Sequence, residues 1–125
     1  MKRAFKDHIT IPEAFGTVMV IEKEFGPAGA RDWAEMAKSI ATIVKVTFGT
    51  AALYDEQLLK EKIAVYNEAG IGTMIGGTLT EVAVLNAGGY KRSALKGYLE
   101  YARSLGFTHL EFSDGSIYIP DGDRG

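Results

Sequence analysis

Short apolar runs alternate with longer amphipathic stretches along this chain. The apolar runs are rich in β-branched residues and have the length of buried strands. Four strands are therefore predicted, at about 17–22, 43–48, 71–75 and 108–113. The breakers Pro12 and Gly16 indicate a weakly structured lead-in over 1–16, and a frayed tail is predicted over 117–125.

Two helices are predicted between the first three strands. The first opens at Pro27, and apolar residues recur along it at the spacing of one helix face. Its predicted buried residues are Trp33, Met36, Ala37 and Ile40. The second runs from about Asp55 to Glu68, and Gly70 is suited to the left-handed position that closes it. Its predicted buried residues are Leu59, Ile63 and Tyr66.

Two more helices are predicted before the last strand. Thr78 and Glu81 have the T-x-x-E spacing of a capping box, which predicts a helix start there. Two consecutive glycines predict a break over 86–89, and a longer helix resumes near Lys91 and closes at Gly106. The predicted buried residues of this longer helix are Leu95, Leu99 and Ala102.

The order of these elements, β-α-β-α-β-α-β, predicts an α/β fold with a parallel sheet and right-handed crossovers. An eight-stranded β/α barrel uses roughly 31 residues for each unit, and the four units here have about that repeat. The sequence therefore predicts half of a TIM-type (β/α)8 barrel, as one domain over 1–125.

Charged residues at the ends of these strands are the candidates for function. Lys45 interrupts an otherwise apolar strand, so it should either pair with an acid or meet an anionic ligand. The acid would be Glu22 or Glu111 on a neighbouring strand. Lys23 follows Glu22 at the end of the first strand, and strand alternation allows one of the two to point into a barrel mouth. Both could instead be solvated loop charges.

Two other groups lie at the same predicted rim. Glu111 and Asp114 could hold a hard cation such as Mg²⁺ through their oxygens, although the aspartate, followed by a glycine, could equally form a turn. Gly76 and Gly77 would let backbone approach a ligand closely, and a helix N-terminus after them attracts anions. Alternatively, the capping box of Thr78 already satisfies those amides.

Composition narrows the choice of partners. The net charge is −2 with both signs interspersed, which gives no reason to expect nucleic acid or an anionic membrane. No segment approaches the roughly 18 apolar residues of a membrane span, and the amino-terminal MKRAFKDH lacks the apolar core of a signal peptide. The absence of cysteine excludes thiolate metal sites and fits a cytoplasmic protein.

Four segments together resemble the phosphosulfolactate synthase family, which adds sulfite to phosphoenolpyruvate on the route to coenzyme M. They occur in the family's order and are separated by helices of suitable length. The segments are Val18-Met19-Val20-Ile21-Glu22-Lys23, Val44-Lys45-Val46-Thr47-Phe48-Gly49-Thr50, Gly76-Gly77-Thr78-Leu79-Thr80-Glu81-Val82-Ala83, and Leu105-Gly106-Phe107 with Glu111-Phe112-Ser113-Asp114-Gly115-Ser116-Ile117.

The resemblance implies a lyase with a β/α barrel, a Mg²⁺ ion, and phosphoenolpyruvate and sulfite as substrates. It implies catalytic roles for Lys45, Glu111 and Lys23. The implied substrate-binding residues are Gly76, Gly77, Thr78, Thr50 and Ser113, and the implied metal ligands are Glu22, Glu111 and Asp114. A non-catalytic, anion-binding relative of the family is the alternative, as is another Mg²⁺-assisted reaction on a phosphorylated carboxylate.

Two departures from the family pattern bear on this reading. The family usually has aspartate where this chain has Glu22, and it continues through four further strands. Phosphate sites in barrels are often built from loops after strands seven and eight, which this sequence does not include. Half a barrel also leaves two strand edges and an inner face uncovered, so self-association into a homo-oligomer is predicted.

Overall fold

A computed structural model of the chain describes residues 7–8, 16–47, 49–89 and 91–112. Strands and helices alternate along the described chain, as predicted. The strands are β1 (Met19–Ile21), β2 (Ile43–Val46), β3 (Gly72–Ile75) and β4 (His109–Leu110). The α-helices are α1 (Pro27–Ala37), α2 (Glu56–Glu68), α3 (Gly77–Asn86) and α4 (Arg92–Ser104), and a 3-10 helix covers Thr50–Leu53.

The four strands form one parallel sheet in the order β1-β2-β3-β4. Ile21 pairs with Lys45, Lys45 with Met74, and Met74 with His109, so these residues lie in one row across the sheet. The predicted α/β class with parallel strands is confirmed. The uninterrupted order is the one that consecutive strands of a β/α barrel have.

Within the described residues, helices cover one face of the sheet and leave the other uncovered. Val44, Val46, Thr73 and Ile75 alternate along β2 and β3 and are buried beneath the helices. The residues between them point to the other side, which we call the open face, because side chains alternate along a strand. The open face carries Met19, Ile21, Ile43, Lys45, Met74 and His109.

Helix α2 lies at the centre of the packing and matches its prediction closely. Asp55 caps it by accepting a hydrogen bond from the Leu58 amide at 3.0 Å. Leu59 and Ile63 pack with Val46, Ile75 and residues after α4, whereas Tyr66 packs with residues of α1 and β2. The predicted burial of Leu59, Ile63 and Tyr66 is therefore confirmed.

The predicted buried face of α1 is wrong in part. Met36 is 84% exposed and Ile40, beyond the helix end, is 44% exposed, whereas Ala30 and Ala34 are buried. These alanines pack with Val65 and Tyr66 of α2. Small side chains let the two helices approach, so the large residues turn outward. Trp33 and Ala37 remain partly buried, as predicted.

The predicted capping box at Thr78 is also wrong. Gly76 is the N-cap residue of α3 and makes no side-chain cap, so Thr78 lies inside the helix. The predicted break is confirmed, since α3 ends at Asn86.

The predicted buried face of α4 is confirmed in part. Ala102 is buried and Leu95 is half-buried, but Leu99 is 40% exposed. No described helix is long and apolar enough to cross a membrane.

Candidate functional site

An ion pair between Lys45 and Glu111 marks the candidate site. Lys45 projects from the open face of β2, and Glu111 follows β4, with β3 lying between them. The lysine Nζ and the glutamate Oε2 are 2.6 Å apart. Their side chains are 13% and 32% exposed, so the pair is accessible from the rim formed by the strand ends. Of the two acids predicted as neighbours of Lys45, the structure places Glu111 there.

The second oxygen of Glu111 reaches the start of α3. Oε1 accepts a hydrogen bond from the Gly77 amide at 3.0 Å. This amide belongs to the first turn of a helix, where N–H groups lack intrahelical acceptors and carry partial positive charge. The capping-box prediction expected Thr78 and Glu81 of α3 to bind the first amides of that helix. In the structure, the carboxylate of Glu111, just after β4, accepts from the Gly77 amide instead.

These contacts perturb the acidity of Glu111. The hydrogen bond from Lys45 is the main reason that the pKa of the Glu111 carboxyl is lowered from its ordinary value. The Gly77 amide and the lysine charge act in the same direction, whereas burial and the nearby charge of Glu81 oppose them. Glu111 is therefore an anion at neutral pH, held between a cation and a helix N-terminus.

Gly76 allows the helix start to come this close to β2. A Cβ at Gly76 would lie 3.0 Å from the Thr47 Cα and 3.2 Å from the Val46 carbonyl oxygen. Both atoms are backbone and cannot turn away, so a side chain would require the backbone to shift by a few tenths of an ångström. The structure thus shows a close approach of backbone between Gly76 and the end of β2, and the predicted approach of the glycine pair to a ligand stays a prediction.

The other predicted substrate-binding residues lie in three places. Thr78 is half-buried in the first turn of α3. Thr50 lies after β2, where its hydroxyl donates to the Thr47 carbonyl at 2.8 Å. Ser113 lies outside the described residues, as does the predicted metal ligand Asp114.

Thr80 of α3 anchors the strand end that carries Glu111. Its hydroxyl donates to the Glu111 carbonyl oxygen at 3.0 Å and lies 3.2 Å from the Tyr98 hydroxyl of α4. Thr80 is only 1% exposed. Sequence reasoning missed this residue, because no local pattern links a threonine in one helix to a strand end 31 positions later.

The Glu22 amide donates to the Lys45 carbonyl at 3.0 Å, but the Glu22 side chain points to the opposite face of the sheet, beneath the helices. Its Oε2 lies 2.6 Å from the Nζ of Lys62 on α2, and the two side chains are only 6% and 3% exposed. Its Oε1 accepts from the amides of Glu24 and Phe25 at 3.0 and 2.6 Å. Glu22 therefore holds the turn between β1 and α1, and Lys23 follows it in that turn as an exposed residue.

Aromatic rings complete this buried cluster. The Tyr54 ring centroid lies 5.2 Å from the Lys62 Nζ, a cation–π distance. The Tyr66 hydroxyl is buried and makes no well-formed hydrogen bond to a described residue. Burial raises the pKa of Tyr66 far above its usual range, and the nearby Glu22 charge adds to this. Lys62 was not foreseen, since lysines are rarely buried and the acid that pairs with it is far away in sequence.

The described residues do not by themselves fit a magnesium ion. Among them, no group of three or more histidine, aspartate or glutamate side chains is arranged to hold a metal. Glu111 is at the rim, but its two oxygens already contact Lys45 and Gly77. The oxygens of Glu22 face Lys62 and backbone amides. The Mg²⁺ ion and its ligands therefore stay a prediction that depends on Asp114.

Comparison with known proteins supplies independent information. The chain matches the family model described as "(2R)-phospho-3-sulfolactate synthase (ComA)" over residues 6–125. It is 37% identical over 108 residues to the phosphosulfolactate synthase of Methanothermobacter thermautotrophicus, covering 86% of this chain and 40% of that protein. It is 34% identical over 104 residues to the phosphosulfolactate synthase of Methanocaldococcus jannaschii, covering 83% and 39%. The chain thus spans about two fifths of the length of these curated relatives.

Proposed function

The chain belongs to the phosphosulfolactate synthase family, and we propose on that premise that it contributes to the addition of sulfite to phosphoenolpyruvate. In this proposal, the rim around Lys45 and Glu111 binds an anionic group of phosphoenolpyruvate. The product of such an addition is the phosphosulfolactate of the family's name. The activity would be that of a lyase on the route to coenzyme M.

The convergence of Lys45, Glu111 and the start of α3 carries this proposal. A lysine ammonium and a helix N-terminal amide are both groups that bind phosphate or carboxylate. An ammonium has three donors, and the bond to Glu111 uses one of them. The 13% exposure of the Lys45 side chain leaves that cation partly desolvated, which strengthens its attraction for an anion.

The reaction gives Lys45 a task beyond binding. The sulfur lone pair of sulfite would bond to the methylene carbon of phosphoenolpyruvate, and the π electrons would move toward the substrate carboxylate. A proton would then add to the carbon that bears the phosphate. A fixed cation beside the carboxylate stabilises the negative charge that grows there. Glu111 would keep the Lys45 side chain in place, through contacts that Thr80 and Gly77 reinforce.

The remaining family expectations belong to the same proposal. Lys23, exposed after β1, would add positive charge at the rim. A Mg²⁺ ion, when bound with the help of Asp114, would supply further charge stabilisation. We assign no step to that ion.

An anion-binding relative without catalysis is the second candidate. The observation that favours it is the engagement of both Glu111 oxygens, one by Lys45 and the other by the Gly77 amide. A carboxylate held in this way can position the lysine for anion binding without itself transferring a proton.

The two candidates separate in one pair of measurements. The protein is incubated with phosphoenolpyruvate, sulfite and Mg²⁺, and the product is followed by phosphorus NMR. Binding of phosphoenolpyruvate alone is measured by calorimetry, with Mg²⁺ and with a chelator. Turnover supports the enzyme, and binding without turnover supports the anion-binding relative. If neither binding nor turnover is observed, both candidates are excluded.

Two lysine variants show whether the rim is responsible. Lys45→Met should weaken phosphoenolpyruvate binding by at least about tenfold, because a hydrogen bond to a charged group is worth about 1.5–3 kcal/mol. The matched control is Lys96→Met, which removes an exposed lysine on α4. Equal binding by the two variants would remove Lys45 from the site.

A further inference from the structure

The buried ion pair between Glu22 and Lys62 lies directly beneath the rim. The Glu22 amide donates to the Lys45 carbonyl at 3.0 Å, so Glu22 lies beside the strand position that carries the proposed anion-binding lysine. The Lys62 Nζ reaches the Glu22 Oε2 from α2, at 2.6 Å. Because burying two charges costs desolvation energy, such a pair often adds little stability over an apolar pair of the same volume. Its effect is then to fix the positions of the groups that it joins.

The Glu22 side chain closes a turn around Lys23. Its Oε1 accepts hydrogen bonds from the Glu24 and Phe25 amides at 3.0 and 2.6 Å. The Lys23 backbone therefore lies within a ring that one carboxylate closes, and Lys23 itself is exposed. Since Lys62 holds the other oxygen of that carboxylate, α2 fixes the turn that carries Lys23.

Lys62 also contacts the connection between β2 and α2. The Tyr54 ring centroid lies 5.2 Å from the Lys62 Nζ, and Tyr54 directly follows the 3-10 helix that Thr50 begins. Side chains of an α-helix lean toward its N-terminus, and the N-terminus of α2 follows the carboxyl end of β2, so the lysine reaches toward the rim. One ammonium thus lies between the two connections that carry Lys23 and Thr50.

We propose that Lys62 is a positioning residue for the rim, which holds Lys23 in the geometry that binds the substrate anion. This role rests on the proposed function, because it concerns the same rim. Without the lysine cation, the Glu22 carboxylate would be buried and unpaired, which is strongly unfavourable. The carboxylate can avoid this cost by turning out to water, and that movement opens the turn. Substrate would then have to order the turn as it binds, and fixing the backbone of one residue reduces affinity by about tenfold.

The test compares phosphoenolpyruvate binding by two variants in calorimetry, at a temperature where urea unfolding shows that both are folded. Lys62→Met should bind phosphoenolpyruvate about tenfold more weakly than the wild type. The matched control is Ile71→Ala, which removes a side chain that is 1% exposed and should destabilise the fold to a similar degree. Ile71 precedes β3, at the end of the strands opposite the rim, so its loss should leave the affinity unchanged. Equal affinities of the two variants would overturn the proposal.

Hydrogen exchange tests the hold on the turn without any ligand. We expect the Glu24 and Phe25 amides to exchange by local opening of the turn, which does not require global unfolding. In Lys62→Met they should exchange at least about tenfold faster than in the wild type, and in Ile71→Ala at the wild-type rate. Unchanged exchange in Lys62→Met would overturn the proposal. If the wild type itself does not bind phosphoenolpyruvate, the proposed function is wrong, whereas these exchange rates still decide whether Lys62 holds the turn.

Discussion

Removing the buried lysine of the Glu22–Lys62 pair should destabilise the fold strongly. Lys62→Met keeps the length and apolar stem of the side chain but leaves the Glu22 carboxylate without its cation. The two side chains are only 6% and 3% exposed, so water cannot replace the lost contact. Breaking a buried pair in this way costs about 3–5 kcal/mol. We expect the lower end, about 3 kcal/mol, because the amides of Glu24 and Phe25 still bind Glu22.

Urea unfolding followed by tryptophan fluorescence measures this loss. Trp33 is the sole tryptophan of the chain, and its ring lies edge-on to Tyr66 with the centroids 5.9 Å apart. Tyr66 lies beside Glu22, so the probe reports on the perturbed region. With an m-value of about 1.5 kcal/mol/M, the midpoint should fall by about 2 M urea. Protomer concentration is held constant, because association would add to the apparent stability.

Two further variants separate the buried charge from other effects. Lys60→Met removes a lysine two residues away on the same helix, whose exposed pair with Glu56 spans 3.0 Å. It should cost less than about 0.5 kcal/mol. Glu22→Gln combined with Lys62→Met removes both charges and retains a carbonyl oxygen for the backbone amides. The double variant should therefore be more stable than Lys62→Met alone. The reasoning is refuted if Lys62→Met costs no more than Lys60→Met.

Three other substitutions test the rim and a helix start. Glu111→Gln should lower the free energy of unfolding by about 1 kcal/mol at neutral pH. The pKa of Glu111 is lowered from 4.5 in the folded protein, so the stability that its charge provides is lost as the pH falls through that lowered pKa. The difference in unfolding free energy between the wild type and Glu111→Gln should therefore vanish at such acidic pH. Gly76→Ala should cost about 1–3 kcal/mol of stability, since its Cβ would lie 3.0 Å from the Thr47 Cα. The control is Gly97→Ala in α4, which has open space around it and should stabilise the protein by about 0.5–1 kcal/mol. A loss of stability at both positions would contradict the steric argument. Asp55→Ala should cost about 1 kcal/mol in thermal unfolding by removing the cap of α2, and an unchanged midpoint would mean that this cap is not formed in solution.

Local pattern predicted the elements of this fold well where one signal dominated. The α2 segment has a regular apolar face and a glycine after its end, and both agree with the structure. Asp55, predicted as the start of the helix, is its N-cap residue. Gly70 has φ +82°, the left-handed value expected at a helix end. The α1 face failed because periodicity weights large apolar residues, whereas close packing against α2 selected Ala30 and Ala34.

Long-range pairing was only partly predictable from the sequence. A lysine inside an apolar strand predicts an acid or an anion nearby, and strand order restricted that acid to Glu22 or Glu111. The observed register, in which Ile21 pairs with Lys45, turns the Glu22 side chain to the other face of the sheet, where it meets Lys62, and leaves Glu111 for Lys45. That register could not be read from the sequence. The bond from Gly77 to Glu111 joins residues 34 positions apart, so no local motif contains it.

Because Glu111 contacts both Lys45 and the Gly77 amide, the lysine and the glutamate of this ion pair cannot exchange positions. An ordinary salt bridge tolerates such an exchange, since the attraction between two opposite charges is the same in either arrangement. Here the exchange Lys45→Glu with Glu111→Lys would place an ammonium against the Gly77 amide, where two donors face each other. Redesign of this rim must therefore keep an acceptor on the β4 side, whatever cation stands opposite it.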